Sequence, residues 1–114
     1  MKVSTTAPGF DTFAIVGERW TLRIVTEIFL GRRRFDSLVA TTGVPRNTLA
    51  NRLRTLEDAG VVSRQRYSER PPRSEYRLTE AGEQLIPAVL LLLFWGVRHI
   101  AGGAVEPGAE GARQ

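Results

Sequence analysis

Residues 33–77, RRFDSLVATTGVPRNTLANRLRTLEDAGVVSRQRYSERPPRSEYR, decide how this chain is read. Phe35, Leu38 and Val39 lie at helical spacing and stop at Thr42-Gly43, which predicts a short amphipathic helix with a glycine exit. Pro45 has a φ suited to a first helical position, so a second helix is expected to open there after a tight turn. In that helix Leu49, Leu53 and Leu56 share one face, Asn47, Asn51 and Arg54 occupy the other, Ala50 sits at the edge, and Gly60 ends it. Residues 61–66 then read as a strand, residues 68–73 with their Pro71-Pro72 pair as a loop, and residues 74–78 as a returning strand. The expected fold is mainly α (α+β): a winged helix-turn-helix with a two-stranded wing.

Charge is concentrated in the same window. Between Arg32 and Arg77 there are 11 Arg against 5 Asp or Glu, a balance of +6, whereas the rest of the chain holds 5 basic and 7 acidic residues, a balance of −2. A local basic face on a small domain is the electrostatic footprint of nucleic-acid binding, because Lys and Arg that neutralise phosphates release condensed counterions. A solubilising surface is the blander explanation of the same charge.

Working outward, Asp11 is a candidate cap for a first helix carrying Phe13, Ala14 and Val16, broken at Gly17, with a second helix expected to start near Glu18. From Trp20 the residues Trp20, Ile24 and Ile28, flanked by Val25 and Phe29, recur at helical spacing until Gly31. Thr79 is a candidate cap for the last helix, which Pro87 should kink or divide. The organisation expected is an N-terminal arm over residues 1–10, one domain over 11–100, and a disordered tail over 101–114, where Gly, Ala, Glu and Pro show no periodicity.

A second helix of this type lies in the major groove, where Arg can bond guanine at two points and Asn can do the same for adenine. Arg46 and Asn47, in the first turn, are the leading base-reading candidates; Thr48, Ala50 and Asn51 complete the exposed face. Arg54 fits either a base or a phosphate. Arg64, Arg66, Arg70 and Arg73 surround the wing and are expected at the minor groove or the flanking backbone. Arg34, like its neighbours Arg32 and Arg33, sits at an element boundary and suits a phosphate. Arg52 falls near the leucine face, which predicts a buried ion pair or a phosphate contact.

Residues 88–97 are apolar on nearly every side, more than a surface helix of a small domain accommodates without a second subunit. A homodimer follows, with Phe13, Val16, Leu90, Leu91, Phe94 and Trp95 as the expected interface and a pseudo-palindromic operator as its consequence. Phe13, Trp20, Phe94 and Trp95 are also the candidate lining of a pocket for a small apolar effector. The run of ten apolar residues is about half of the ~20 that span a bilayer, so no membrane partner is expected. The chain has no cysteine and a single histidine, and it lacks a glycine-rich phosphate loop. Thiolate metal sites, disulfides, cofactors and an assembled active site are therefore not expected, and the location inferred is the cytoplasm, at the nucleoid through DNA.

Gly17-Glu18-Arg19-Trp20, Leu30-Gly31 with Arg34-Phe35, the segment from Leu49 to Gly60, and Tyr67 through Tyr76-Arg77-Leu78-Thr79 together resemble the HxlR family of bacterial winged-helix regulators. The most specific pieces are G-x-R-W, R-F-D-x-L, L-x-x-R-L-x-x-L-x-x-x-G and E-R-P-P-R-x-E-Y-R-L-T. The resemblance implies a dimeric transcriptional regulator, dimerised through extra N- and C-terminal helices and docking the helix from Pro45 in the major groove; the function expected of this chain is that of a repressor acting by promoter occlusion. Many members of that family carry a sensing Cys-Pro pair ahead of the Trp; Ala7-Pro8 stands at the matching place here, which excludes thiol sensing. The rival reading is a winged helix used as a protein-interaction module, its arginines meeting an acidic partner.

Overall fold

The computed structural model describes residues 8–101. The first seven residues of the expected arm and the tail beyond 101 lie outside the described residues. The chain divides between Glu83 and Gln84 into two compact units, a division that falls inside the domain expected over 11–100.

In the first unit the elements are α1 (Pro8–Val16), α2 (Thr21–Phe29), α3 (Phe35–Thr42), α4 (Arg46–Asp58), β1 (Val62–Glu69), β2 (Pro72–Leu78) and the single turn α5 (Glu80–Glu83). Helix α1 begins at Pro8, a residue at home in a first turn, so Asp11 lies within the helix and is not its cap. Glu18 precedes α2 and organises its start: its carboxylate accepts from the Trp20 N–H at 2.8 Å and from the Thr21 hydroxyl at 3.2 Å. The helix itself starts at Thr21, three residues after Glu18.

The turn between α3 and α4 is as tight as the sequence implies. Gly43 closes α3 with φ 74°, a left-handed conformation that glycine adopts without a Cβ clash. Pro45 is the cap of α4, with extended ψ 144°, and Arg46 is the first helical residue. Ile24, Val25 and Ile28 from α2, Leu38 from α3, and Leu49, Leu53 and Leu56 from α4 are buried together with Val44, Val61 and Val62 in the core. Each such side chain removed from water contributes about 1.5–3 kcal/mol before entropy is counted, which is what fixes the rotation of α4 about its axis.

The wing is a two-stranded antiparallel sheet, with Val62 opposite Leu78, Arg64 opposite Tyr76 and Arg66 opposite Ser74. A register shift between Arg66 and Ser68 leaves Tyr67 as the extra residue. The strands run further than the alternation suggests, to Glu69 and from Pro72, so the expected loop over 68–73 shrinks to Arg70 and Pro71. Pro72 is tolerated because it pairs with Glu69 at the end of a two-stranded ladder, where no further strand needs its missing N–H. The linker between α2 and α3 lies along β2: Tyr76 N–H donates to the Arg33 carbonyl at 2.8 Å, and Arg34 bridges Glu75.

Thr79 ties the end of the wing to the end of α4. Its N–H donates to the Val61 carbonyl at 3.0 Å, its hydroxyl donates to the Gly60 carbonyl, and the hydroxyl oxygen accepts from the Gly82 N–H at 3.1 Å. Gly82 is buried there, and a Cβ on it would collide with the Val61 carbonyl oxygen.

The second unit contains α6 (Ile86–Gly96) and a π-helical turn, Val97–Ala101. Pro87 stands in the first turn of α6, and the helix that Thr79 opens is divided at residues 84–85, as expected of a proline placed where its ring would break a continuous helix. Ile86 and Val89 are buried, while Leu90, Leu91, Leu92, Leu93, Phe94 and Trp95 are exposed. Residues 80–100, taken as one 21-residue stretch, contain a window with a mean hydropathy of 1.4 and are, by length and composition alone, long and apolar enough to cross a membrane. The uninterrupted apolar run is shorter, because Glu80, Glu83 and Arg98 fall within the stretch.

Gly82→Ala should lower stability by roughly 1–3 kcal/mol, because the added methyl forces the Val61 backbone to move. Urea unfolding followed by circular dichroism reads this directly; an unchanged midpoint would contradict the packing described for α5.

Candidate nucleic-acid interface

The leucine face of α4 is inside, so its other face is fixed outside. Arg46, Asn47, Asn51 and Arg54 are exposed, and Thr48 and Ala50 are half-buried at the margin. Arg54 Nη1 donates to Asn51 Oδ1 at 3.2 Å, which links two of the predicted contact residues one turn apart. Arg46 is held against α3: its Nη2 donates to Asp36 Oδ1 at 2.8 Å, and its guanidinium carbon lies 5.1 Å from the centroid of the Phe35 ring.

Arg64 and Arg66 of the wing, and Arg34 beside it, are paired with nearby acids. Arg64 Nε is 3.6 Å from Glu57 Oε2 on α4, and Arg66 Nη1 is 3.6 Å from Glu69 Oε1 on its own strand. Arg34 Nε is 3.7 Å from Glu75 Oε2, and its guanidinium lies 4.6 Å from the centre of the Tyr67 ring. Arg70 and Arg73, at and beside the hairpin tip, are exposed and make no ion pair among the described residues. All the arginine pairs are substantially exposed, and pairs of that kind contribute about 0–1 kcal/mol each. A phosphate can therefore replace the carboxylates of Glu57, Glu69 and Glu75 at little cost.

These elements enclose a groove of about 610 Å³ between the start of α3, the start of α4 and the wing, with Arg34, Asp36, Arg46, Tyr67 and Arg73 in its walls. Three cations, one anion and the rings of Phe35, Tyr67 and Tyr76 converge there. The arrangement suits the sugar-phosphate edge of a duplex whose bases face α4. No group of three His, Cys, Asp or Glu placed to hold a metal occurs among the described residues.

Of the predicted contact residues, the structure brings Arg34, Arg46 and Arg73 to one groove, Arg54 and Arg64 to a second between α4 and β1, and leaves Asn47 and Asn51 on the open face of α4. Arg52 makes no ion pair among the described residues, so the first of its two expected roles is not found there, and its Nε is buried without a hydrogen-bond partner. Sequence reasoning also missed Phe35, Asp36 and Tyr67 as neighbours of the arginines. Asp36 and Arg46 are ten positions apart, a spacing with meaning only once the angle of the α3–α4 turn is known.

For the dimer and pocket candidates, Phe13 is 71% exposed in α1, Val16 and Trp20 are half-buried, and Phe94 and Trp95 are 69% and 55% exposed in α6. The Arg19 guanidinium covers the Trp20 ring at 4.7 Å.

Residues 15–103 match the model of the HxlR-like helix-turn-helix family. An uncharacterized HTH-type transcriptional regulator of Mycobacterium tuberculosis is 50% identical over 86 residues, covering 75% of this chain and 54% of that protein. The chain thus spans about half the length of that relative. The HTH-type transcriptional regulator YtcD of Bacillus subtilis is 32% identical over 90 residues, covering 78% of this chain and 71% of that protein. The YtcD crystal structure superposes with a TM-score of 0.77 at 30% identity, over 82% of this chain and 97% of its own. The redox regulator HypR in its reduced form gives 0.74 at 32% identity, over 82% and 96%. With a family model matched across most of its length and the same helix-turn-helix and wing in relatives above 30% identity, this chain belongs to the HxlR-like helix-turn-helix family.

Proposed function

We propose that this protein is a sequence-specific, DNA-binding transcriptional regulator that acts as a homodimer on a pseudo-palindromic operator, in the manner of a repressor that occludes a promoter. The observation that carries the reading is the outward face of α4, where Arg46, Asn47, Asn51 and Arg54 stand exposed beside a groove walled by Arg34 and Arg73. Arg and Asn are the side chains able to make two-point bonds to guanine and adenine, and the groove cations suit the flanking phosphates. The matched relatives are named as transcriptional regulators. An acidic protein partner would account for the arginines but not for two asparagines on a helix face, where they are poor helix formers.

The exposed apolar side of α6 supports the dimer. Leu91 and Phe94 are each 69% exposed, and so many large apolar groups in one short helix need a cover. A second copy is favoured over a bilayer, because Glu80 and Glu83 at one end and Arg98 at the other leave only a short uncharged core. Regulation by cysteine oxidation is excluded by composition, since the chain contains none. A regulator of this kind works in the cytoplasm, at the nucleoid.

Selection of the purified protein against random duplexes should enrich an inverted repeat with half-sites about one helical turn apart, or a multiple of that. Enrichment of nothing would contradict the reading. On the enriched duplex Arg46→Ala or Asn47→Ala should cost roughly 1–3 kcal/mol and relax one base pair, whereas Arg70→Ala should weaken all duplexes alike. Equal losses on specific and random DNA for all three would overturn these roles. Leu91→Glu or Leu92→Glu should sediment as a monomer and bind the duplex poorly; an unchanged sedimentation coefficient would refute the interface.

A further inference from the structure

An acidic side chain on the surface offered to DNA is expected to repel phosphates, yet Asp36 lies in the wall of the arginine groove with its side chain 84% exposed. Its carboxylate is spent on one residue. Asp36 Oδ1 accepts from Arg46 Nη2 at 2.8 Å, the shortest of the arginine–carboxylate pairs among the described residues. The Phe35 ring, one residue earlier, faces the same guanidinium at 5.1 Å. Two consecutive residues of the first turn of α3 thus fix a side chain on the first turn of α4.

A guanidinium has five N–H donors in a rigid plane, and this contact uses one of them. Nη1 and Nε of Arg46 make no hydrogen bond among the described residues, and the side chain is 62% exposed. A free arginine side chain must lose considerable rotamer freedom to bond a base edge at two points; one already held by a carboxylate and a ring loses much less. The same carboxylate, close to the backbone path, discourages Arg46 from settling on a phosphate.

We propose that Asp36 is a positioning residue for base readout: with Phe35 it holds the Arg46 guanidinium at the start of α4, oriented for a guanine edge and away from phosphate. The proposal rests on the duplex-reading function above. The pair persists in the complex, so Asp36 raises affinity where the correct base is present and lowers it elsewhere.

The test is a double-mutant cycle on the duplex enriched by the wild-type protein and on a random duplex, with folding followed by circular dichroism. Asp36→Ala should lower the ratio of specific to random affinity roughly tenfold, with the relaxed preference confined to the base pair that Arg46→Ala relaxes. On random DNA its log-log salt slope should steepen by up to about 0.9 per bound subunit, as Arg46 becomes free to neutralise a phosphate. In an Arg46→Ala background, Asp36→Ala should leave the ratio nearly unchanged, and Asp36→Glu in the wild-type background should retain most of it. A favourable interaction of Asp36 with the α3 N-terminus alone would not depend on Arg46. An unchanged ratio in Asp36→Ala, or an equal fall with and without Arg46, would overturn the proposal while leaving DNA reading intact. Failure of the wild-type protein to enrich any duplex would overturn both.

Discussion

Burial of Leu49, Leu53 and Leu56 on one side of α4 is the constraint on which the remainder of the site depends. A helix can turn about its own axis unless its apolar stripe is committed, and three leucines with almost no solvent exposure commit it. Once they are inside, Arg46, Asn47, Asn51 and Arg54 have only one direction in which to point. The αL glycine at position 43 and the proline at 45 then set where that face begins, and Thr79 binds the end of the wing to the carbonyls just past α4. The reading helix and wing are held as one piece by a core and a few directed hydrogen bonds.

Electrostatics on this surface is arranged as exchange. Arg34, Arg64 and Arg66 each have a carboxylate neighbour in the protein alone, and Arg70 and Arg73 make no ion pair among the described residues. Exposed pairs are weak and screened by salt, so they hold side chains in place without resisting a stronger anion. A duplex offers a row of such anions and releases counterions when they are neutralised. The paired acids offset only part of the local positive charge, which still sums to +6 between Arg32 and Arg77.

The elements were legible in the sequence wherever a period or a turn residue carried the information. The α3–turn–α4 unit followed from Phe35, Leu38, Gly43, Pro45 and the leucine repeat, and the division near Pro87 followed from the chemistry of proline. Boundaries set by tertiary contacts were not legible: β1 and β2 extend past the expected ends because each completes the other's ladder, and α1 begins at Pro8, where composition gave no apolar periodicity. At the site, residue types on a predicted face located Arg46, Asn47 and Asn51, whereas partners across elements were hidden. The Asp36–Arg46 bond and the Tyr67–Arg34 contact depend on the angle of a turn and on a register shift in the hairpin.

The central claim is that the basic groove and the outward face of α4 engage duplex DNA through phosphates while reading bases. The most direct measurement is the salt dependence of affinity, by fluorescence anisotropy, for an enriched duplex against a scrambled one of equal length. A dimer touching ~8 phosphates should give a log-log slope of about −7 on the enriched duplex, with tighter binding to it at every salt concentration. A shallow slope near zero, or equal affinity for the two duplexes across the range, would contradict the account.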